Sequence, residues 1–156
     1  MHIRLIAVGD RQPPWVDEAF RNYSGRFPSQ WKFRLDVIAT AKRNKAESSR
    51  RAIETEGEQI LGKLAGNEQT VLLDERGKQL TSKSLAGRLS GWQADGRDLA
   101  FIIGGPDGVS DDCRQRADFI WSLSDLTLPH GLARVLFAEQ LYRTWSLASG
   151  HPYHRS

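Results

Sequence analysis

Short runs of apolar residues alternate with amphipathic stretches along the whole chain. Five of these runs are short and either continuously apolar or alternating, which predicts β-strands. They cover Ile3–Val8, Phe33–Ile38, Val71–Leu73, Leu99–Ile103 and Phe119–Leu123. The third strand is expected to end at Asp74. The run Leu99–Ile103 is the most apolar, so we expect it to form the central strand of the sheet, buried on both faces.

The segments between these runs place apolar residues at helical spacing and begin with helix-capping residues. They predict helices that start at Pro13-Pro14, near Ala46, at a Ser82 cap, at a Ser110 cap and at Leu132. The apolar stripe of the first helix reaches Phe27, and the last helix runs to Ala148. Strand–helix alternation of this kind predicts a single α/β domain over residues 1–156, layered around a mostly parallel sheet.

Composition narrows the class of protein. Of the 156 residues, 39% are hydrophobic and 26% are charged, which is typical of a folded globular domain. Cys113 is the single cysteine, so an intramolecular disulfide is impossible and a reducing, cytoplasmic location fits best. The apolar start is broken at Gly9-Asp10 and no later run reaches membrane-spanning length, so we expect a protein that is neither exported nor embedded.

The chain is mildly basic, with a net charge of +3. The excess of positive charge lies early, around Lys42, Arg43 and Lys45. One interpretation is a solvated loop at the start of a helix. The other is a patch that contacts nucleic-acid phosphates.

Ligands of open α/β sheets bind beyond the carboxyl ends of the strands, so the loops after Leu73, Ile103 and Leu123 are the expected binding region. The middle loop, Gly104–Gly108, would let a ligand approach the backbone closely, although such a segment can also be a tight turn. It matches neither the GxGxxG dinucleotide fingerprint nor a P-loop. Nucleotide hydrolysis is therefore disfavoured.

Other kinds of catalytic site find little support. No G-x-S-x-G elbow is present, and no motif marks Cys113 as a nucleophile. His151 and His154 have a spacing that could hold a metal, but no carboxylate or second thiol accompanies them. A metal-free site is the working expectation.

The last predicted helix has two unusual features. Arg134 shares a stripe with apolar residues, namely Phe137, Ala138, Leu141 and Trp145. Its side chain either snorkels outward or points into the site formed by the preceding loop. The helix also carries large apolar side chains nearly all round, more than one sheet can cover. A homodimer interface explains them, and deep burial within one chain is the alternative.

Four motifs then occur in order: FIIGGPDG at 101–108, SLSDLTLPH at 122–130, EQLYR at 139–143 and HPYHR at 151–155. With the basic segment at 42–45, they closely resemble the RlmH (YbeA-like) family. Its members are bacterial SPOUT-class methyltransferases that act on large-subunit ribosomal RNA. The resemblance covers the whole chain.

The resemblance implies a SPOUT-type fold with a C-terminal trefoil knot, a homodimer, and S-adenosylmethionine as the methyl donor. It implies methylation at N3 of a pseudouridine in helix 69 of 23S rRNA, within the large subunit or the ribosome. The family's cofactor positions fall at Leu73, Gly104, Leu123, Ser124, Asp125, Leu126, Thr127 and Leu128, and Gly105 is expected to line the same pocket. Apolar walls and open backbone groups suit an adenine ring. Lys42, Arg43 and Lys45 become the RNA-binding candidates.

A sulfonium methyl group is already activated, so the protein must position the acceptor and help remove its imino proton. His154 could act as the base or orient the acceptor. Arg155 and Arg134 could hold phosphate or stabilise negative charge on the ring, and Tyr153 could stack on the base. The competing class is a non-catalytic RNA-binding or ribosome-assembly module, which would use the basic patch and need no cofactor.

Overall fold

Strands and helices alternate strictly along the part of the chain that the computed structural model describes, residues 1–43 and 46–154. The strands are β1 (His2–Val8), β2 (Lys32–Ile38), β3 (Gln69–Gln79), β4 (Leu99–Ile103) and β5 (Phe119–Ser122). The helices are α1 (Pro14–Ser24), α2 (Ala46–Lys63), α3 (Ser82–Ala94), α4 (Asp111–Arg116) and α5 (His130–Ser149). This alternation confirms the α/β class.

The strands form one sheet in the order β2-β1-β4-β3-β5, and every pairing is parallel. The predicted central position of Leu99–Ile103 is confirmed, because β4 lies between β1 and β3. All five residues of β4 are buried, as expected for a strand that is covered on both faces. Parallel pairing also brings the carboxyl ends of β3, β4 and β5 to the same edge of the sheet.

Helices cover both faces of the sheet, because successive side chains of each strand point to opposite sides. One core lies under α1, α3 and α5 and includes Leu5, Phe101 and Phe137. The other lies under α2 and α4 and includes Ile6, Ile60 and Ile102. Cys113 is buried in this second core as a small apolar residue. The knot implied by the resemblance stays a prediction.

Strand β3 is longer than its apolar run. The prediction that it ends at Asp74 is wrong: β3 continues to Gln79, and its register against β5 shifts between Leu73 and Lys78. The added residues are polar, so hydrophobicity gave no sign of them. A side chain at Gly77 would lie 2.7 Å from the Ile120 carbonyl, so only glycine allows the two backbones this close.

Three helix boundaries also differ from the predictions. Helix α1 ends at Ser24, before Phe27, although Phe27 still packs in the core. Thr81, one residue before the expected Ser82, caps α3 by accepting a hydrogen bond from the Ser84 amide at 3.0 Å. Helix α5 begins two residues earlier than Leu132, directly after a proline. In each case helical spacing identified the element, and a local turn or cap set its end.

Helix α5 packs between α1 and α3, so its own chain covers more of its surface than one sheet would. Burial within one chain thus accounts for part of the apolar surface of α5, and the homodimer stays a prediction. Leu132 nevertheless remains 46% exposed and Trp15, at the start of α1, is 50% exposed. Among the described residues, no helix has the length and hydrophobicity needed to cross a membrane.

Candidate functional site

The carboxyl ends of β3, β4 and β5 enclose an open cleft of about 630 Å³. Its walls come from residues 73–76 of β3, where the pairing with β4 ends, from residues 103–109 at the end of β4 and beyond it, and from residues 123, 124 and 126–130 after β5. Residues 123–129 belong to neither a strand nor a helix, so their backbone groups are not committed to a ladder. The cleft has the size and the mixed lining typical of small-molecule sites.

The structure brings together most of the residues expected to bind the cofactor. Eight of the nine line the cleft: Leu73, Gly104, Gly105, Leu123, Ser124, Leu126, Thr127 and Leu128. Asp125 is exposed and is not among the lining residues. Leu126 is 73% exposed at the rim, available to cover a bound ligand. Apolar side chains and open backbone groups therefore coincide here, as adenine recognition requires.

The glycine loop, Gly104–Gly108, is a tight turn in which the Gly108 amide donates to the Gly105 carbonyl at 3.1 Å. Gly108 has a φ of +93°, in the region that favours glycine. A side chain at Gly104 would collide with Val109, the residue that directly follows the loop. The two interpretations of this segment are thus compatible, because the turn is tight and also lines the cleft.

Acidic and basic side chains at one end of the cleft were missed by sequence reasoning. Asp74 pairs with Arg114 of α4, and its carboxylate accepts from the Arg76 amide at 2.8 Å. Burial opposes ionisation, but the Arg76 amide and the Arg114 guanidinium together hold the pKa of Asp74 below its usual value. Asp74 falls just after the apolar run of β3, and that position was the available signal.

His130, the first residue of α5, was also missed as a cleft residue. The Arg134 guanidinium lies 3.0 Å from His130 Nε2 and donates to the Gly9 carbonyl at 3.0 Å. A guanidinium only donates, so Nε2 must accept and the ring is neutral. Burial first, and then the positive charge of Arg134, lower the pKa of His130 to about 4, although a hydrogen bond to the Gly104 backbone opposes this.

Arg134 itself is only 1% exposed, so outward snorkelling is excluded. Burial lowers its pKa, and its Nε atom has no hydrogen-bond partner among the described residues. The guanidinium lies behind His130 and joins the end of β1 to the start of α5. Its contacts support the cleft wall.

The basic segment divides into two environments. Lys42 is exposed, as a phosphate-binding residue would be. Arg43 is instead held by Glu56 and Asp107. Lys45, the third RNA-binding candidate, lies outside the described residues.

The C-terminal tail packs against the second half of α5. The Tyr153 hydroxyl donates to Glu139 Oε1 at 3.0 Å, and Arg143 donates to the same oxygen at 2.6 Å. The Tyr153 ring lies against Tyr142, with 4.7 Å between ring centroids. Burial and the hydrogen bond to Glu139 raise the pKa of Tyr153 to about 12. Tyr153 is therefore a neutral, ordered side chain.

His154 is oriented by Ser146. The Ser146 hydroxyl donates to the Arg143 carbonyl at 3.0 Å and lies 3.0 Å from His154 Nδ1. A hydroxyl has one hydrogen, so with that hydrogen on the carbonyl the Nδ1–H group of His154 donates to Ser146. In the neutral ring this arrangement places the lone pair on Nε2, the form a general base requires. Arg155, the neighbouring candidate, lies outside the described residues.

The cleft and the tail lie at opposite ends of α5. His130 lines the cleft, whereas Ser146, which contacts His154, lies sixteen residues further along the same helix. At 1.5 Å per residue this is about 24 Å along the helix axis. Within one chain, the predicted cofactor residues and His154 are therefore not brought together.

The two closely spaced histidines do not form a ligand set. His151 Nδ1 accepts from the Tyr153 amide at 3.2 Å, and His154 Nδ1 contacts Ser146. In residues 1–43 and 46–154, no group of three His, Cys, Asp or Glu side chains is arranged to hold a metal ion.

Comparison with known proteins identifies close relatives over the full length. A family model described as "Predicted SPOUT methyltransferase" matches residues 1–154. Three curated relatives carry the name ribosomal RNA large subunit methyltransferase H. The protein of Alkalilimnicola ehrlichii is 52% identical over 156 residues, 100% of both chains. That of Thioalkalivibrio sulfidiphilus is 48% identical over 99% of both chains, and that of Methylococcus capsulatus is 46% identical over 99% of this chain and 100% of the relative.

Solved structures with low sequence identity share the fold. A probable methylase family protein from Haemophilus influenzae Rd KW20 superposes with a TM-score of 0.55 at 11% identity, covering 99% of this chain and 70% of that one. A methylase family protein from Neisseria gonorrhoeae gives a TM-score of 0.55 at 14% identity, covering 90% and 81%.

Proposed function

This chain belongs to the SPOUT methyltransferase family, and from that premise we propose that it transfers a methyl group from S-adenosylmethionine to large-subunit ribosomal RNA. The observation that carries the proposal is the cleft where three strand ends meet, in a chain about half identical over its full length to proteins named for this activity. In finer terms, we propose N3 of a pseudouridine in helix 69 of 23S rRNA as the acceptor, reached in the cytoplasm within the large subunit or the ribosome.

The cleft fits S-adenosylmethionine in volume and in chemistry. Leu123, Leu126 and Leu128 offer apolar surface to an adenine ring, and the open backbone of the same loop offers donors and acceptors. Glu75 adds negative charge to the lining, which suits a ligand that carries a sulfonium and an ammonium group. When bound, the cofactor supplies an electrophilic methyl group.

The chain's own residues must hold the acceptor and remove its imino proton. His154 is the proposed base, because its Nδ1–H donates to Ser146 and leaves Nε2 to accept a proton. Tyr153 is held by Glu139 and aligns the tail in which His154 sits. Arg155 is proposed to bind phosphate or the ring of the acceptor. Arg134 is proposed to act through His130 and the Gly9 carbonyl.

We further propose that the enzyme is a homodimer in which the tail of one protomer completes the cleft of its partner. The tail and the cleft of one chain are separated by about 24 Å along α5, too far for His154 to reach an acceptor bound at that cleft. Exposed apolar residues Trp15 and Leu132 offer surface for a partner.

Calorimetric titration with S-adenosylmethionine, followed by methyl transfer to ribosomal particles from a strain lacking the enzyme, tests the proposal. Mass analysis of the rRNA then locates the methyl group. Gly104→Val should abolish cofactor binding, because the new side chain displaces the glycine loop. Gly87→Val is the matched control: a side chain at Gly87 meets nothing within 4 Å. RNA binding without any cofactor binding by the wild-type protein would instead support the non-catalytic module.

A further inference from the structure

We propose that Arg43 is a positioning residue for the cofactor cleft, which it serves by tying the glycine loop to the buried Glu56 of α2. We name the contacts of Arg43 with Glu56 and Asp107 the Arg43 clamp. The inference deepens the proposed function and rests on it. The basic sequence around Arg43 predicts a phosphate contact, and we propose the positioning role instead.

The guanidinium of Arg43 has most of its donors occupied. Nη1 donates to the Ala41 carbonyl and to Glu56 Oε2, each at 2.8 Å. Nη2 donates to Glu56 Oε1 at 2.8 Å, and Nε donates to Asp107 Oδ2 at 2.6 Å. Four of the five N–H groups of the guanidinium are therefore used within the protein. The side chain is 15% exposed, which leaves little of it for a phosphate.

Glu56 is the buried partner that fixes the position of Arg43. Its side chain is 2% exposed, and besides the two bonds from Arg43 it accepts from the Ala41 amide at 2.9 Å. A buried carboxylate is costly unless it is paired and hydrogen-bonded, so Glu56 and Arg43 hold each other in one geometry. The fork of two parallel hydrogen bonds also defines the plane of the guanidinium.

The clamp contacts the glycine loop at two places. Asp107 accepts from Arg43 Nε, and Gly105 packs directly on the pair. A side chain at Gly105 would lie 2.7 Å from Glu56 Oε1 and 3.2 Å from Arg43 Nη2. Only glycine at this position lets the loop approach so closely. Because Gly105 and Asp107 both line the cleft, moving the clamp moves the cleft wall.

Lys42 provides the contrast. It precedes Arg43 in the chain and is exposed, whereas Arg43 is half-buried. Lys42 therefore faces solvent, whereas Arg43 contacts the glycine loop. The same loss of one positive charge should have different consequences at the two positions.

The first test compares Arg43→Gln with Lys42→Gln, which remove the same charge one residue apart. We expect Arg43→Gln to weaken S-adenosylmethionine binding about tenfold in calorimetry, because it removes charge-assisted hydrogen bonds from the loop. Lys42→Gln should leave that affinity unchanged and weaken RNA binding. If Arg43→Gln binds the cofactor like wild type and loses RNA affinity like Lys42→Gln, Arg43 is a phosphate contact and the proposal is wrong.

A second variant is needed because Arg43→Gln leaves Glu56 buried without its partner. Asp107→Ala removes the loop-side contact alone, at a side chain that is 43% exposed, and keeps the Arg43–Glu56 pair. We expect severalfold weaker cofactor binding at an unchanged melting temperature. When the Arg43 and Asp107 substitutions are combined, their losses of cofactor affinity should not add, because both substitutions break the same contact. Additive losses would show that Asp107 contacts the cofactor independently, against the proposal.

Hydrogen exchange separates failure of the clamp from failure of the proposed function. Without any ligand, the amides of Gly104, Gly105, residue 107 and Gly108 should exchange faster in Asp107→Ala than in wild type. Unchanged exchange would overturn the clamp even if the enzyme proves to be an rRNA methyltransferase. If the wild-type protein fails to bind S-adenosylmethionine, the proposed function fails, and this exchange measurement still decides whether Arg43 positions the loop.

Discussion

The two ends of α5 are built on different principles. At its start, the cleft is lined largely by glycines, open backbone and aliphatic side chains, and the charged groups nearest the loops are held by partners such as Arg114 and Arg43. At its far end, the tail is dense in aromatic and titratable side chains, with Tyr153 and His154 hydrogen-bonded to the helix. The first end suits binding of a small molecule through shape, and the second suits polar chemistry on an acceptor.

Under the proposed function, this difference would separate cofactor binding from proton transfer. His130, the histidine that lines the cleft, is neutral with its Nε2 facing Arg134. His154 lies in the tail and is not among the residues that line the cleft. In the proposed dimer, a twofold axis would bring the cleft of one protomer and the tail of the other together twice.

The largest expected effect is at the tail. His154→Ala should lower single-turnover methyl transfer by about 10² if the imidazole is the general base. Cofactor affinity should not change, because His154 is proposed to act on the acceptor and no residue of the tail is among those that line the cleft. The wild-type rate should rise with pH, and that rise should disappear in the variant. His2→Ala, at an exposed histidine of β1, is the control. A smaller loss without any change in pH dependence would mean that His154 only orients the acceptor.

Mixing two inactive variants tests whether the halves come from different protomers. Gly104→Val damages the cleft and His154→Ala damages the tail. In a mixed dimer with exchanged tails, one site would carry both defects and the other none, so an equal mixture should recover about a quarter of the wild-type rate. The rate is measured after the subunits have been allowed to exchange. If each site is built from one chain, every site in the mixture has a defect and no activity returns.

His130, at the cleft end, should make the stability of the protein depend on pH. His130 has a folded-state pKa of about 4 against an ordinary value of 6.5, so the unfolded chain binds more protons between these values. Stability should therefore fall as the pH drops from about 6.5 towards 4, by on the order of 1–2 kcal/mol once partial exposure is allowed for. In urea unfolding at pH 7 and pH 5, His130→Gln should reduce this loss and His2→Gln should not. An equal loss in His130→Gln would contradict the assignment.

The smallest effect concerns the support of His154. Ser146→Ala removes the hydrogen bond to Nδ1, and a net hydrogen bond of about 1 kcal/mol corresponds to about a fivefold lower transfer rate. Cofactor affinity should remain that of wild type. Ser149→Ala, at the exposed end of α5, is the control. In a His154→Ala background the Ser146 substitution should have no further effect, and a full additional loss would assign Ser146 a separate role.

The sequence predicted only part of the difference between the two ends of α5. Apolar runs predicted every strand, and the parallel sheet then placed the loops after Leu73, Ile103 and Leu123 at one edge. The glycine loop and the HPYHR tail were recognisable as motifs. The polar continuation of β3 to Gln79 was not, since a bulged edge segment has no apolar pattern.

Only the tertiary structure decided which partners the buried and half-buried arginines contact. Local sequence presents Lys42 and Arg43 as equivalent cations, but Arg43 finds its partners at Glu56 and Asp107, 13 and 64 residues away in the chain. Arg134 likewise ends at the Gly9 carbonyl, 125 residues away. The sequence by itself determined the α/β layers, because hydrophobic periodicity is a local property that burial acts on directly. The fold decides which groups lie near a buried charge. Such a charge must be paired or hydrogen-bonded, and the spacing of residues along the chain does not reveal where its partner will lie.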